Sequence, residues 1–205
     1  MNTSIRSTIE TRTSVNDFQP NLPLDDGAIA KLVDLATRAP SAYNLQNWRF
    51  IAVRSQDAKV RLKAAAFGQQ KVVDASVTFI ICGTLAAHRQ LRAALQPSVE
   101  AHVMAQRVVD AWVAQASASH ENDAVLQRDE AVRSASLAAM TLMLAAQGMG
   151  LGSCAMGGFD AAQVAQAFGL GPSELPVVIV AIGHPATGNW PQKPRKPLPE
   201  ILAIV

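Results

Sequence analysis

Residues 130–160 read EAVRSASLAAMTLMLAAQGMGLGSCAMGGFD. From Glu130 to Met149, alanine, leucine and methionine fall on almost every side of a helix, so the spacing predicts one long helix that must be covered all round. A partner subunit is one way to cover the remaining face, with alanine letting backbones approach closely. The greasiest part of this run, 135–149, is interrupted by Ser136, Thr141 and Gln147 and is shorter than the roughly 20 apolar residues a membrane helix needs. Then come Gly148, Gly150 and Gly152. Glycines that cradle a dinucleotide phosphate lie between a strand end and a helix start. Here they end a helix and enter a strand, so they read as a helix stop with a left-handed turn. A strand at 153–156, a turn at Gly157-Gly158 and a helix at 160–168 complete the stretch.

Working outward, apolar runs predict strands at Trp48–Val53, 77–83 and 177–182, the last buried on both faces. Helices are expected at 4–10, from Asp25 or Asp26 through Ile29, Leu32, Val33 and Ala36 to a stop at Pro40, and at 57–66 with Val60 and Leu62. Residues 85–115 read as helical with a break near Pro97, and Met104, Val108 and Trp112 form one stripe. The polar segment 116–123 reads as a mobile connection. The proline-rich segment 184–205 reads as an extended tail lying over something else. Four short strands inside a helical shell make a mixed α and β domain.

At 205 residues and 21.7 kDa, one domain spanning 1–205 is expected. Hydrophobic residues at 49% exclude a disordered chain, and 18 basic against 16 acidic groups give no support to a nucleic-acid binder held by bulk charge. Cys82 and Cys154 sit in apolar runs without zinc or disulfide spacing, which suits a reducing compartment. Residues 1–13 lack the pattern of a secretory signal, so a cytoplasmic protein is expected. His88, His102, His120 and His184 share no ligand spacing, and no local signature of a hydrolase triad occurs. Redox chemistry would then need a bound organic cofactor.

Four segments carry chemistry, each beside a plainer alternative. Arg12-Thr13-Ser14 places a guanidinium and two hydroxyls together, able to hold a phosphate or to form a solvated turn. Pro40-Ser41-Ala42-Tyr43-Asn44-Leu45-Gln46 offers small residues for a flat ring and amides for its polar edges, or a turn capped by Ser41 and Asn44. Gln69 and Lys71 stand just before a buried strand, as in many surface turns. Ala155-Met156-Gly157-Gly158 exposes backbone N–H groups before a helix start, as a tight strand-to-helix turn also would. Lys193, Arg195 and Lys196 add positive charge to the tail, for a phosphate or for solubility.

In this order the segments resemble the FMN-dependent nitroreductase family, in particular its small nitro- and quinone-reducing branch. The likeness runs from Ile9 to Ile201 and is weakest between 86 and 127. It implies an α+β sandwich: a central, mainly antiparallel sheet flanked by helices, in an intertwined homodimer with two FMN sites at the interface. The tail at 185–205 would wrap the partner subunit. Arg12, Thr13 and Ser14 would then meet the FMN phosphate and ribityl chain, with Arg195 and Lys193 closing over the phosphate. Pro40, Ser41, Ala42 and Asn44 would reach the ring from the other subunit. Gln69 and Lys71 would contact the pyrimidine edge or ribityl chain, and Ala155, Gly157 and Gly158 would border the ring. Many members have an arginine at Thr13, a basic residue at Asn16 and prolines at Asn47 and Ala155, so the phosphate grip here leans on Arg12 and Arg195.

The implied activity is ping-pong hydride transfer from NAD(P)H to nitroaromatics, quinones or enones as small-molecule electron acceptors, with no catalytic side chain. A desaturase or dehalogenase with a lid at 85–123, and a protein that only stores or senses flavin, remain as alternatives. Arg89, Arg92 and Arg107 would either bind a nicotinamide 2′-phosphate or be ordinary helix residues.

Overall fold

The computed structural model describes residues 4–205; Met1–Thr3, the start of the segment read for a secretory signal, lie outside it. The helices are α1 (Ile5–Thr11), α2 (Asp26–Ala36), α3 (Gln56–Ala65), α4 (Lys71–Asp74), α5 (Leu91–Glu100), α6 (Gln106–His120), α7 (Ala124–Gly148), α8 (Ala161–Phe168) and α9 (Leu198–Ile201). The strands are β1 (Trp48–Val53), β2 (Val77–Thr84), β3 (Gly152–Met156) and β4 (Glu174–Gly183). They form one antiparallel sheet in the order β1-β2-β4-β3, which is the expected α+β architecture. Side-chain oxygens of Ser4, Asp25, Ser55, Asp123 and Asp160 cap the starts of α1, α2, α3, α7 and α8, accepting amide hydrogens the first turn leaves over.

Strand alternation divides the core in two. Ile80, Cys82, Ile179, Ala181 and Met156 face Leu62 of α3, Val72 of α4 and Val164 of α8. Phe79, Ile81, Val180 and Ile182 face the other way, onto Leu32 of α2 and Ala135, Ala139 and Leu142 of α7. The inner half of β4 is fully buried and its first residues, including Val177 and Val178, only partly. Gly150 takes φ +76° after α7, and the Leu151 N–H reaches back to the Ala146 carbonyl at 2.9 Å, which is the expected left-handed stop.

The structure corrects four expectations. α7 begins at Ala124, and its buried stripe is Ala131, Ser134, Ala135, Ala138, Ala139, Leu142 and Ala146, while Leu137 and Met140 remain 47% and 38% exposed. Alanines therefore serve close packing on the chain's own sheet, and only a narrower apolar strip faces outward. Residues 116–123 are largely helical, because α6 continues to His120, which is buried together with Ala116. Pro97 lies inside α5 and the break falls at 101–105 instead; the proline lacks an N–H for the Ala93 carbonyl, and the helix ends one turn later. In β4, Val177 and Val178 are only partly buried, short of the expected burial on both faces across 177–182. A separate cluster of Leu45, Leu91, Leu95, Val109 and Ala116 holds α5 and α6 against the loop after α2. Among the described residues no helix is long and apolar enough to cross a membrane.

Candidate functional site

Residues 12–18 run alongside β3. Ser14 bridges Ser153 in parallel, and the Val15 N–H donates to the Ser153 carbonyl at 3.0 Å. This places Arg12, Thr13 and Ser14 beside the first half of β3. The tail returns to the same place. Gln192 donates to the Arg12 carbonyl at 3.2 Å, and Thr13, Ser14, Trp190, Gln192, Lys193 and Arg195 line a cleft of about 110 Å³. Arg195 is held over it by bonds to the Lys193 carbonyl at 2.8 Å and to Gln192 Oε1 at 2.9 Å. The Lys193 ammonium lies 4.8 Å from the centre of the Trp190 ring, a cation–π contact.

On the adjoining stretch of β3, Lys71 Nζ donates to Asn16 Oδ1 at 2.7 Å and lies 3.7 Å from Cys154 Sγ. Gln69 Nε2 donates to the Gly158 carbonyl at 2.8 Å. Positive φ at Phe67 (53°) and Gly68 (77°) reverses the chain after α3 and brings these two side chains onto the sheet edge. Ala155 is the one exposed residue of β3, and Gly157 and Gly158 after it are exposed too. A Cβ at Gly157 would meet nothing within 4 Å, so the backbone there lies open to a flat ligand.

The expected site residues thus fall into two adjoining groups and one remote one. Arg12, Thr13, Ser14, Lys193 and Arg195 form the first; Gln69, Lys71, Ala155, Gly157 and Gly158 form the second. Pro40, Ser41, Ala42 and Asn44 stand apart, and no hydrogen bond of the described residues joins them to either group. Ser41 Oγ accepts the Gln46 N–H at 2.9 Å, the capped turn that the sequence allows. Tyr43, Asn44 and Gln46 all have φ near +50°, an uncommon run for residues other than glycine, and Tyr43 is braced edge-on by Trp112 and His120 at 6.0 and 6.3 Å. Asn16, Asn189 and Gln192 are contacts that the sequence did not disclose. Asn189 meets residues 172 and 173 positions away, so no local motif could signal it.

Two of the cations considered for a nicotinamide phosphate are already paired. Arg89 pairs with Glu121 and Arg92 with Asp110, so neither is free for a nicotinamide phosphate; these partners hold both carboxyls below their usual range, Glu121 through Arg89 first and then His88. Arg12, Lys71, Lys193 and Arg195 have no carboxylate within ion-pair distance among the described residues. Lys193 and Arg195 beside the Thr13 and Ser14 hydroxyls at one end, with Arg12 next to them in the chain, a part-buried ammonium without a carboxylate partner in the middle and open glycine backbone at the other end fit FMN: phosphate, pyrimidine edge and ring.

Residues 9–184 match the family model described as "Nitroreductase family". The chain belongs to this family. It is similar to YodC of Bacillus subtilis (strain 168), which carries an NAD(P)H nitroreductase name, with 31% identity over 97% of this chain and 98% of that one. A nitroreductase-named protein from Exiguobacterium sibiricum, solved in complex with FMN, superposes with a TM-score of 0.92 at 29% identity, covering 99% of this chain and 98% of that one. CLA-ER, an enone reductase of gut-bacterial fatty acid saturation metabolism, superposes with a TM-score of 0.88 at 26% identity, over 100% of this chain and 99% of that one. The sequence expectation of an oxidoreductase using FMN and NAD(P)H agrees with membership of this family.

Proposed function

We propose that this nitroreductase-family chain is a cytoplasmic, homodimeric enzyme that uses NAD(P)H to reduce nitroaromatics, quinones or enones by ping-pong hydride transfer. The carrying observation is the run of cations without carboxylate partners beside β3, from Lys193 and Arg195 over Thr13 and Ser14 to Lys71, ending at the exposed backbone of Gly157 and Gly158. Bound there, FMN supplies two-electron redox chemistry that these side chains lack. Arg12, Ser14 and Thr13 hold its phosphate through charged and hydroxyl hydrogen bonds, and Lys193 and Arg195 close over it from the tail. The Lys71 ammonium stabilises negative charge at the pyrimidine edge. The exposed backbone at Ala155, Gly157 and Gly158 leaves the ring open to nicotinamide and acceptor in turn. In this reading one domain spans 1–205, the tail at 185–205 wraps the partner, and Pro40, Ser41, Ala42 and Asn44 complete the site from the other subunit. Enones belong among the acceptors because of the likeness to the enone reductase.

A second reading, a desaturase or dehalogenase, draws on α5 and α6, which have a core of their own and could order one substrate over the ring. Anaerobic addition of NADH and then NADPH to the FMN-loaded protein tests the proposal. Bleaching of the flavin band, followed by its return on adding a quinone or nitroaromatic, is the expected result. Flavin that keeps its colour with both nicotinamides would instead mark a protein that stores or senses flavin.

A further inference from the structure

We infer that Asn16, fixed in place by Asn189 of the tail, is a positioning residue that sets the Lys71 ammonium at the ring edge of the flavin site; this rests on the function proposed above. A lysine side chain has four rotatable carbons and loses much entropy on being held. Lys71 is held by Asn16 Oδ1 at 2.7 Å and lies 3.7 Å from Cys154 Sγ, with no carboxylate of the described residues in reach. Neither cancels its charge, so the ammonium keeps its full field and one of its three donors for a ligand.

Asn16 is itself fixed from behind. Its N–H donates to Asn189 Oδ1 at 2.7 Å, and the Asp17 N–H donates to the same oxygen at 3.1 Å. Asn189 Nδ2 donates in turn to the carbonyls of Asp17 at 2.8 Å and Ala186 at 3.0 Å. The Asn189 amide thus has two hydrogens given and two accepted, and turning it over would set its NH₂ against two N–H donors, so its orientation is determined. The clamp lies four residues before Lys193, so one side chain ties the phosphate end of the tail to the lysine at the ring. A basic residue at 16, as the family resemblance leads one to expect, would repel Lys71, whereas an amide oxygen orients it.

The test is the midpoint potential of FMN bound to the full-length chain, for wild type, Asn16→Ala, Lys71→Met and the double variant. Asn16→Ala leaves its N–H bond to Asn189 in place, so the segment stays pinned. It is expected to lower the ratio of affinities for reduced and oxidised FMN about tenfold, roughly 30 mV for a two-electron couple. In the Lys71→Met background the same substitution should add nothing, because its effect runs through the lysine. Asn16→Asp keeps the acceptor but cancels the charge, and should lower the potential at least as far. A wild-type potential in Asn16→Ala, or an undiminished shift without Lys71, overturns the inference while leaving the flavin site standing. A wild-type chain that binds no FMN overturns both.

Discussion

Arg12 and Lys71 differ from Arg38, Arg49, Arg54, Arg89, Arg92 and Arg133, each of which reaches a carboxylate. A cation left with neutral partners beside hydroxyls is placed for an anion from outside. Arg12→Ala is therefore expected to weaken FMN binding by about 1.5–3 kcal/mol, the range for hydrogen bonds to charged groups, or ten- to over a hundredfold in Kd by fluorescence titration. Unchanged affinity would remove the phosphate assignment. A second residue-scale prediction concerns Glu174, whose carboxyl is held below its usual range by the Arg49 guanidinium first and the Gly171 N–H second. The folded pKa lies below the unfolded one, so this contribution is present above the ordinary glutamate pKa and fades as pH falls through the lowered value. Glu174→Gln should lose less Tm than wild type as pH is lowered from about 6 to 3; parallel Tm curves would contradict this. The Cys82 thiol, raised to about 11 mainly by burial, should resist iodoacetamide at mildly alkaline pH in the folded protein and react once it is unfolded, as mass spectrometry would show. At this scale Arg12, Ser14, Gln69 and Lys71 stand in short local motifs, so the sequence alone singles them out as candidates. Asn189 was not, since its partners are distant in sequence.

Among the elements, α7 shows how far composition alone carries. Its existence and glycine stop are readable, but its start at Ala124 is not, and which stripe of alanines meets the sheet is set by the closeness of β2. A Cβ at Gly83 would stand 2.5 Å from the Ala131 carbonyl oxygen, so only glycine lets α7 settle there. Gly83→Ala should cost about 1–3 kcal/mol as overpacking, seen as a lowered urea midpoint; an unchanged midpoint would show that α7 can move aside. The sheet was legible because β1, β2 and β4 are apolar runs and β3 follows a glycine stop. The segment 116–123 was misread because its serines and histidine are polar, yet His120 is buried, with Nδ1 3.0 Å from the Ala116 carbonyl and 2.8 Å from Ser119 Oγ. Helical hydrogen bonding and tertiary burial overrode polarity there.

Across the whole molecule, one chain leaves two apolar surfaces open. Leu137 and Met140 are exposed on the outer side of α7, and Leu198, Ile201, Leu202 and Ile204 are exposed along the tail. Burial of these side chains against a second copy is what the proposed dimer requires. Leu137→Glu with Met140→Glu is expected to yield a monomer by light scattering and to lower FMN retention with it; a variant that remains dimeric would place the interface elsewhere. The central claim is that Arg12, Lys71 and the tail cations form one FMN site. Its most direct measurement is a titration of flavin-free protein with FMN, read by fluorescence quenching together with solution mass. The account predicts saturation at one FMN per chain in a dimer, with affinity falling in Arg12→Ala. Absence of saturable binding, or binding indifferent to that substitution, would contradict it.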